Sequence, residues 1–350
     1  MLRTPAYAAP SAHDALAPIT IERREPRAHE VLIDILYCGV CHSDLHQVRD
    51  EWGGAIFPMV PGHEIVGRVA AVGAGVTRHK VGDAVGVGCF VDSCRECAQC
   101  RAGEEQYCEQ GMTATYNDRE RGSDVPTHGG YSTRIVVDEQ YVLRIPDGIA
   151  LERAAPLLCA GITTYSPLRH FGVAPGDRVA VVGLGGLGHM AVKLASAMGA
   201  EVTVLSTSEA KRADAMALGA HAFLSTRERS MFRQHAGTFD YIVDTVSAQH
   251  DYNAYLNLLK VDGTMILLGI PEDPTPVGAF SLVTKRRRLA GSMIGGIRET
   301  QEMLDFCAEH GVAADVEIID IAEINRAYER MLAGDVRYRF VIDTATLGGG

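Results

Sequence analysis

Four cysteines fall within fifteen residues as Cys94-x2-Cys97-x2-Cys100-x7-Cys108. Four thiolates match the closed tetrahedral shell of a structural zinc, which staples a lobe together and keeps no open coordination position. The plain alternative is four free thiols, and the sharper one is an iron–sulfur cluster, which similar cysteine runs also ligate. No proline follows the fourth cysteine and the last gap is long, so the pattern favours zinc. A second set is dispersed: Cys41, His63 and Cys159, with Glu64 beside the histidine. Two thiolates and an imidazole are the three protein ligands of a zinc that leaves its fourth position to water or substrate. Spacings of 22 and 96 residues do not by themselves identify such a site. Taken singly, Cys41 and Cys159 read more often as small buried hydrophobes and His63 as a satisfied core histidine.

A third chemical signature is Gly183-Leu184-Gly185-Gly186-Leu187-Gly188, which follows an apolar strand at Arg178 to Val182 and opens a helix expected over His189 to Met198. Gly183 permits the tight turn, Gly185 lets a pyrophosphate approach the backbone, and Gly188 lets helix and strand pack closely. The phosphates then face a helix N-terminus. The next strand, Glu201 to Leu205, ends in Ser206-Thr207-Ser208, with Lys211 and Arg212 just beyond. A dinucleotide site for NAD places a carboxylate there to bind the ribose 2′-hydroxyl, and that carboxylate would repel a 2′-phosphate, which hydroxyls and cations bind. The expectation is therefore NADP(H). The alternative is that Lys211 and Arg212 are only the solvated face of a helix over Glu209 to Leu218.

These sites need a scaffold of about two domains for 350 residues. Residues 1–155 are rich in Gly, Pro, Cys and His and carry short strand-like runs at Val31 to Leu36 and Tyr131 to Val137, which predicts an irregular all-β domain. From Asp177 strands and helices alternate: a strand at Phe239 to Val243, a helix at His250 to Lys260, a strand at Thr264 to Leu268 and another at Leu289 to Ile294. Repeated βα units predict a doubly wound parallel sheet, so the fold class is α/β, with the second domain over 156–296. A helix at Glu299 to Glu309 follows, and the closing strand at Tyr338 to Asp343 is expected to return to the first domain, so that 297–350 completes it. The terminal Gly348-Gly349-Gly350 has no side chain to pack and is expected to fray.

Composition narrows the functions. Thirty-three Lys and Arg against forty-four Asp and Glu leave a formal charge of −11, and the one basic cluster, Lys285 to Arg288, is too short to track a phosphate backbone, which excludes nucleic acid. No apolar run spans a bilayer, and Met1 to Pro10 lacks the apolar core of a secretory signal, so a cytoplasmic protein without a membrane partner is expected. There, nine cysteines mean metal ligation or free thiols rather than disulfides.

The run Gly62-His63-Glu64-Ile65-Val66-Gly67, followed by Gly73 and Val76, resembles the zinc-containing alcohol dehydrogenase signature of the medium-chain dehydrogenase/reductase family. Cys38-Gly39-Val40-Cys41-His42-Ser43-Asp44-Leu45-His46 and Leu158-Cys159-Ala160-Gly161-Ile162-Thr163-Thr164-Tyr165 resemble that family's other ligand-bearing segments. The resemblance covers nearly the whole chain. It is strongest to the cinnamyl-alcohol-dehydrogenase class and, within it, to bacterial NADPH-dependent aldehyde reductases. It implies a GroES-like catalytic domain joined to a Rossmann domain, with two zinc ions per chain. Cys41, His63 and Cys159 would hold the catalytic zinc, with Glu64 as an alternate ligand and Asp44 orienting the His63 ring. Ser43 and His46 would relay a proton from the reacting oxygen to water.

The same resemblance places His42, Thr163, Thr245, Gly269, Arg339 and the segment Ser292, Met293 and Ile294 around the nicotinamide cofactor, and Trp52 and Ile294 on the substrate wall. Cys38, Cys89 and Cys307 remain as packing residues. It implies a homodimer joined along the sheet edge near Leu289 to Ile294. Plant lignin-pathway members carry a large aromatic shortly after the fourth lobe cysteine, where this chain has Met112-Thr113-Ala114-Thr115, so broad reduction of aromatic and aliphatic aldehydes is expected rather than dedicated monolignol chemistry. The competing expectations are an NAD-dependent alcohol or polyol dehydrogenase and, from another class, a non-catalytic zinc-binding redox sensor. Polyol dehydrogenases of this fold usually replace the third-ligand cysteine by a carboxylate, against which Cys159 stands.

Overall fold

The computed structural model describes residues 1–348, so Gly349 and Gly350 lie outside it, while Gly348 ends a short 3-10 turn over Thr344–Gly348. The chain divides into two compact units, Met1–Ile162 with the segment from Gly295 onward, and Thr163–Ile294. The first division falls inside the helix Ala160–His170, a few residues after the boundary expected at 155. The reason is local: the turn Ala155–Leu158, which leads into Cys159, is wholly buried and packs on strands of the first unit.

The hub of the first unit is the strand Glu30–Gly39, a Val, Leu and Ile run buried along most of its length. It pairs antiparallel with Ile65–Val72, Arg134–Asp138 and Arg339–Asp343, and the sheet extends through Ala84–Val87 and Leu143–Arg144 on one side and Val316–Asp320 on the other. The closing strand thus does return to the first domain, with Val341 opposite Gly39. The pairing of Glu30–Gly39 with Ile65–Val72 carries the dispersed ligand set, because it puts Gly39 and Glu64 side by side with Gly39 N–H on the Glu64 carbonyl at 2.9 Å. Beyond the expected elements the unit has a hairpin of Leu2–Ala8 and Ala17–Arg23, the strand Val316–Asp320 and the helix Ile324–Leu332.

The second unit is a six-stranded, all-parallel sheet. In spatial order its strands are Ala222–Ser225, Glu201–Ser206, Arg178–Val182, Phe239–Asp244, Leu259–Leu267 and Arg288–Gly291. The order reverses beside Arg178–Val182, and ligands of open α/β sheets bind at such a switch point, beyond the carboxyl ends of the strands. Its core packs Phe239, Ile242, Tyr252, Tyr255, Leu256 and Met265 under the sheet.

Three expected elements differ. The helix expected over His250 to Lys260 is only Tyr252–Leu256, because the Asp251 carboxylate caps Asn253 N–H and the chain from Leu259 joins the sheet opposite Phe239. The helix expected over Glu209 to Leu218 begins as a 3-10 turn, Glu209–Lys211, and becomes α-helical over Arg212–Ala217. The last strand stops at Gly291, short of Ile294, whose φ of 41° turns the backbone out of the extended region. Among the described residues no helix is long and apolar enough to cross a membrane.

Candidate active site and metal centres

Cys94, Cys97, Cys100 and Cys108 bring their sulfurs within 4.8 Å of one another. The Cys94 and Cys100 sulfurs stand 3.8 Å apart, far from the roughly 2 Å of a disulfide. Backbone donors converge on the sulfurs: Cys97 N–H on Cys94 at 3.3 Å, Cys100 N–H on Cys97 at 3.4 Å and Cys94 N–H on Cys108 at 3.4 Å. Cys97 caps the short helix Ala98–Ala102, and donation from Cys100 N–H pulls its thiol down to about 6. Amide donors that stabilise thiolates are what a tetrathiolate metal site needs.

The second set assembles as well. Cys41, His63, Glu64 and Cys159 are all buried and offer ligand atoms within 4.8 Å of one another. The Cys41 and Cys159 sulfurs lie 3.9 Å apart; the Cys159 thiol holds Cys41 well below the usual thiol range, against burial. Asp44 fixes the histidine, its Oδ1 lying 3.0 Å from His63 Nδ1, so Nε2 is the nitrogen free to ligate. Burial works to lower the His63 pKa, yet the Asp44 carboxylate and Cys89 hold it well above its ordinary value. Asp44 also accepts Cys41 N–H at 2.9 Å, Gly62 N–H at 3.2 Å and Tyr131 O–H at 3.3 Å, so this fully buried carboxylate is saturated with donors.

Glu64 receives the guanidinium of Arg339 through Nη2, while its Oε2 is buried without a hydrogen-bond partner, and burial pushes its carboxyl up to about 7 despite Arg339. A buried oxygen without a partner beside two sulfurs and an imidazole fits a cation site. Arg339, which the family resemblance placed near a pyrophosphate, is 5% exposed and turned to Glu64 instead. Ser43 Oγ lies 3.6 Å from Cys41 Sγ on the helix His42–Val48. One turn on, His46 Nδ1 meets the Glu51 carboxylate and the ring stacks on Trp52 with centroids 5.1 Å apart. Trp52 is 51% exposed, so it packs on the histidine rather than standing as a buried wall. His42 is exposed, 6.5 Å from His46 ring to ring.

Several functional candidates escaped the sequence reading. Tyr116 is buried and stacks on the His63 ring at 5.8 Å, which puts an aromatic against the metal ligand just past the Met112 to Thr115 stretch. Tyr328 O–H reaches Tyr131 at 3.4 Å, and Glu51 lies five residues from the histidine it holds. Only Glu51 left a local signal, a carboxylate one helical turn and a half from His46.

In the second unit Gly183 has φ of 89°, and a Cβ there would meet Val246 Cγ2 at 2.7 Å. Gly185 has open space where a Cβ would stand, as close backbone approach of a phosphate requires, and Gly188 packs against the Gly183 backbone. The helix Gly186–Ala197 starts inside this loop, three residues before the expected His189. Thr245 Oγ1 donates to the Val182 carbonyl at 2.8 Å, and Gly269 N–H donates to the Asp244 carbonyl at 3.0 Å. Ser206 is buried at the strand end and its Oγ accepts Ser208 N–H at 3.2 Å, while Thr207 is exposed. Lys211 Nζ donates to the Leu184 carbonyl at 2.8 Å, which ties this cation to the glycine loop. Arg212 turns elsewhere, to Glu209 at 2.5 Å and over the Phe223 ring at 4.7 Å, so the structure does not bring it to the loop. Thr163, Ser292 and Ile294 are half-buried and Met293 is exposed.

A sheet-built lobe with two cysteine-based metal sets and a doubly wound unit with a glycine loop define a metallo-dehydrogenase. Two domain families match: alcohol dehydrogenase GroES-like domain over residues 27–147 and zinc-binding dehydrogenase over 186–309. The chain belongs to the zinc-binding dehydrogenase family, and is therefore an oxidoreductase. It is 62% identical over 343 residues, 98% of each chain, to the NADP-dependent alcohol dehydrogenase C 1 of Mycolicibacterium smegmatis. It is 57% identical over 348 residues, 99% of each chain, to the aldehyde reductase YahK of Escherichia coli. A cinnamyl alcohol dehydrogenase structure from Sorghum bicolor superposes with a TM-score of 0.95 at 46% identity, covering 98% of both chains.

Proposed function

We propose that the chain interconverts aldehydes and primary alcohols with NADP(H), acting mainly as a reductase of aromatic and medium-chain aliphatic aldehydes. The observation that carries the reading is the buried set Cys41, His63 and Cys159, with Asp44 on His63 Nδ1 and the Ser43 hydroxyl beside Cys41. Cys41, His63 and Cys159 would hold the catalytic zinc, and Cys94, Cys97, Cys100 and Cys108 the structural one. When bound, zinc supplies Lewis acidity at the carbonyl oxygen and NADPH supplies the hydride.

The chain's own groups do the rest. Asp44 selects the His63 tautomer that leaves Nε2 to ligate. Ser43 Oγ holds the proton that the nascent alcohol takes up, and His46, its Nδ1 kept by Glu51, exchanges that proton with water. Tyr116 and the buried Tyr131 and Tyr328 keep the set dry, which strengthens each charge interaction inside it. Glu64, held by Arg339, is a reserve oxygen ligand. Gly183, Gly185 and Gly188 would cradle the pyrophosphate at the helix N-terminus, and Ser206, Ser208 and Lys211 would take the 2′-phosphate. The absence of a carboxylate at the end of the strand Glu201–Ser206 and the name of a relative 62% identical, an NADP-dependent alcohol dehydrogenase, support NADP(H) over NAD(H).

The sheet ends on Arg288–Gly291, an unpaired edge flanked by Phe280 at 82% and Val283 at 65% exposure, which supports a homodimer joined there. Nine unpaired cysteines support a reducing, cytoplasmic location. The test is oxidation of NADPH by purified protein with benzaldehyde or cinnamaldehyde, beside NADH and a zinc determination. Turnover with NADPH well above NADH and near two zinc per chain is expected; two zinc without turnover would remove the substrate assignment.

A further inference from the structure

On the far edge of the first unit's sheet, a cavity of about 360 Å³ lies between the end of the strand Ala17–Arg23, the strand Arg134–Asp138 and the loop 119–128. It shares no residue with either metal set or with the glycine loop. Two of the buried polar atoms that find no hydrogen-bond partner face this one space, Arg23 Nε and His128 Nδ1, while Arg24 Nε beside them has the Glu120 carboxylate at 3.5 Å. A guanidinium nitrogen donates and never accepts, so what Arg23 Nε lacks is an acceptor.

The charges are also unequal. Arg24 is matched by Glu30 and, at 3.5 Å, by Glu120, while Arg95 is matched by Asp92 and Asp138, both at 2.9 Å. Arg23 has no carboxylate within 4 Å among the described residues; its Nη2 donates only to the neutral carbonyls of His128 at 2.9 Å and Gly129 at 3.2 Å and to Ser132 Oγ at 3.1 Å. Arg27 and Arg121 stand at the exposed rim. Burial pulls the Arg23 guanidinium down to about 10, which the Glu120 charge offsets only in part, and burial together with Arg23 pulls the His128 imidazole down to about 4.

We propose that this cavity binds a small oxyanion, a carboxylate or phosphate group seated against Arg23 Nε with His128 beside it. The volume is at the low end of ligand pockets, room for a compact polyanion rather than a nucleotide. Water could satisfy a single donor but would bring no charge to a guanidinium that no carboxylate touches directly. The site also lies close behind the metal centre, since Arg23 holds the carbonyls of His128 and Gly129, and the amides of Gly129 and Gly130 donate to Val60 and Gly62 at 2.8 and 2.9 Å, next to His63.

Calorimetric titration of the zinc-loaded protein, saturated with NADP⁺ so that the dinucleotide site is filled, tests this with inorganic phosphate and citrate at chloride-matched ionic strength. One anion per chain is expected, with phosphate and citrate competing and the tighter of the two identifying the ligand class. Arg23→Gln should weaken binding about tenfold or more, as loss of a charge-assisted bond implies. Because Arg23 also braces the 128–129 loop, Arg27→Gln at the rim, which gives up only exposed ion pairs at 4.0 Å to Glu30 and Glu120, should weaken it independently. Binding no tighter than chloride, or binding untouched by Arg27→Gln in a folded, zinc-replete protein, would overturn the assignment.

Discussion

Asp44 Oδ1 stands 3.0 Å from His63 Nδ1, and the same carboxylate's Oδ2 accepts the amide of Cys41 at 2.9 Å, so one side chain positions two metal ligands that lie 22 residues apart. Asp44→Asn keeps the volume but lets its single oxygen serve only part of this donor set. Zinc affinity at the catalytic site should fall about ten- to hundredfold, measured by competition with a chelator, while the four-cysteine site keeps its metal.

Ser43→Ala leaves the metal set intact and removes the hydroxyl nearest Cys41. The turnover number should drop by about a hundredfold or more, the usual contribution of a positioned proton donor. Glu51→Gln should produce a smaller loss of turnover, because it frees His46 without deleting it. Turnover near wild type in Ser43→Ala would show that the proton takes another path.

Ser206→Asp introduces a carboxylate where the 2′-phosphate is expected. Efficiency with NADPH should fall about ten- to hundredfold, with NADH gaining in relative terms, read as the ratio of kcat/KM for the two cofactors. Lys211→Ala should act in the same direction, because its Nζ already sits on the Leu184 carbonyl of the loop. Arg212→Ala should leave the ratio unchanged, since that guanidinium is held by Glu209 and Phe223.

Cys97→Ser removes one thiolate from the lobe. Zinc content should fall by one ion per chain and the thermal midpoint should drop, because metal binding there is coupled to folding of the loop. An unchanged midpoint with one zinc lost would make the lobe dispensable for stability.

Acid lability should have a local source at His128. Its folded-state pKa, about 4, lies below that of an unfolded histidine near 6.5, so between those values the unfolded chain binds the extra proton. The stability this residue confers is complete above pH 6.5 and is lost as the pH falls toward 4. Denaturant midpoints compared at pH 7 and pH 5 should converge in His128→Gln relative to the parent.

What could be read from the chain was what the chain brings together over short distances. The four lobe cysteines span fifteen residues and the glycine loop six, so backbone connectivity alone places their atoms in reach, and both arrangements appear in the fold. Helix ends were less legible: His250 to Lys260 reads as one helical segment, but Leu259 gains more from pairing with Phe239 in the sheet than from another turn. The dispersed set was recognisable only through family likeness, since nothing local ties Cys41 to Cys159 across 118 residues. Tertiary structure alone decided that Arg339 faces Glu64, 275 residues away, because the last strand closes on Glu30–Gly39 next to the strand that follows Glu64. It alone decided which of two adjacent cations reaches the glycine loop, and it alone gathered Arg23, Arg24 and His128 around one cavity. Side-chain identity is local, whereas burial and charge pairing are set by which strands become neighbours, and that depends on the whole chain.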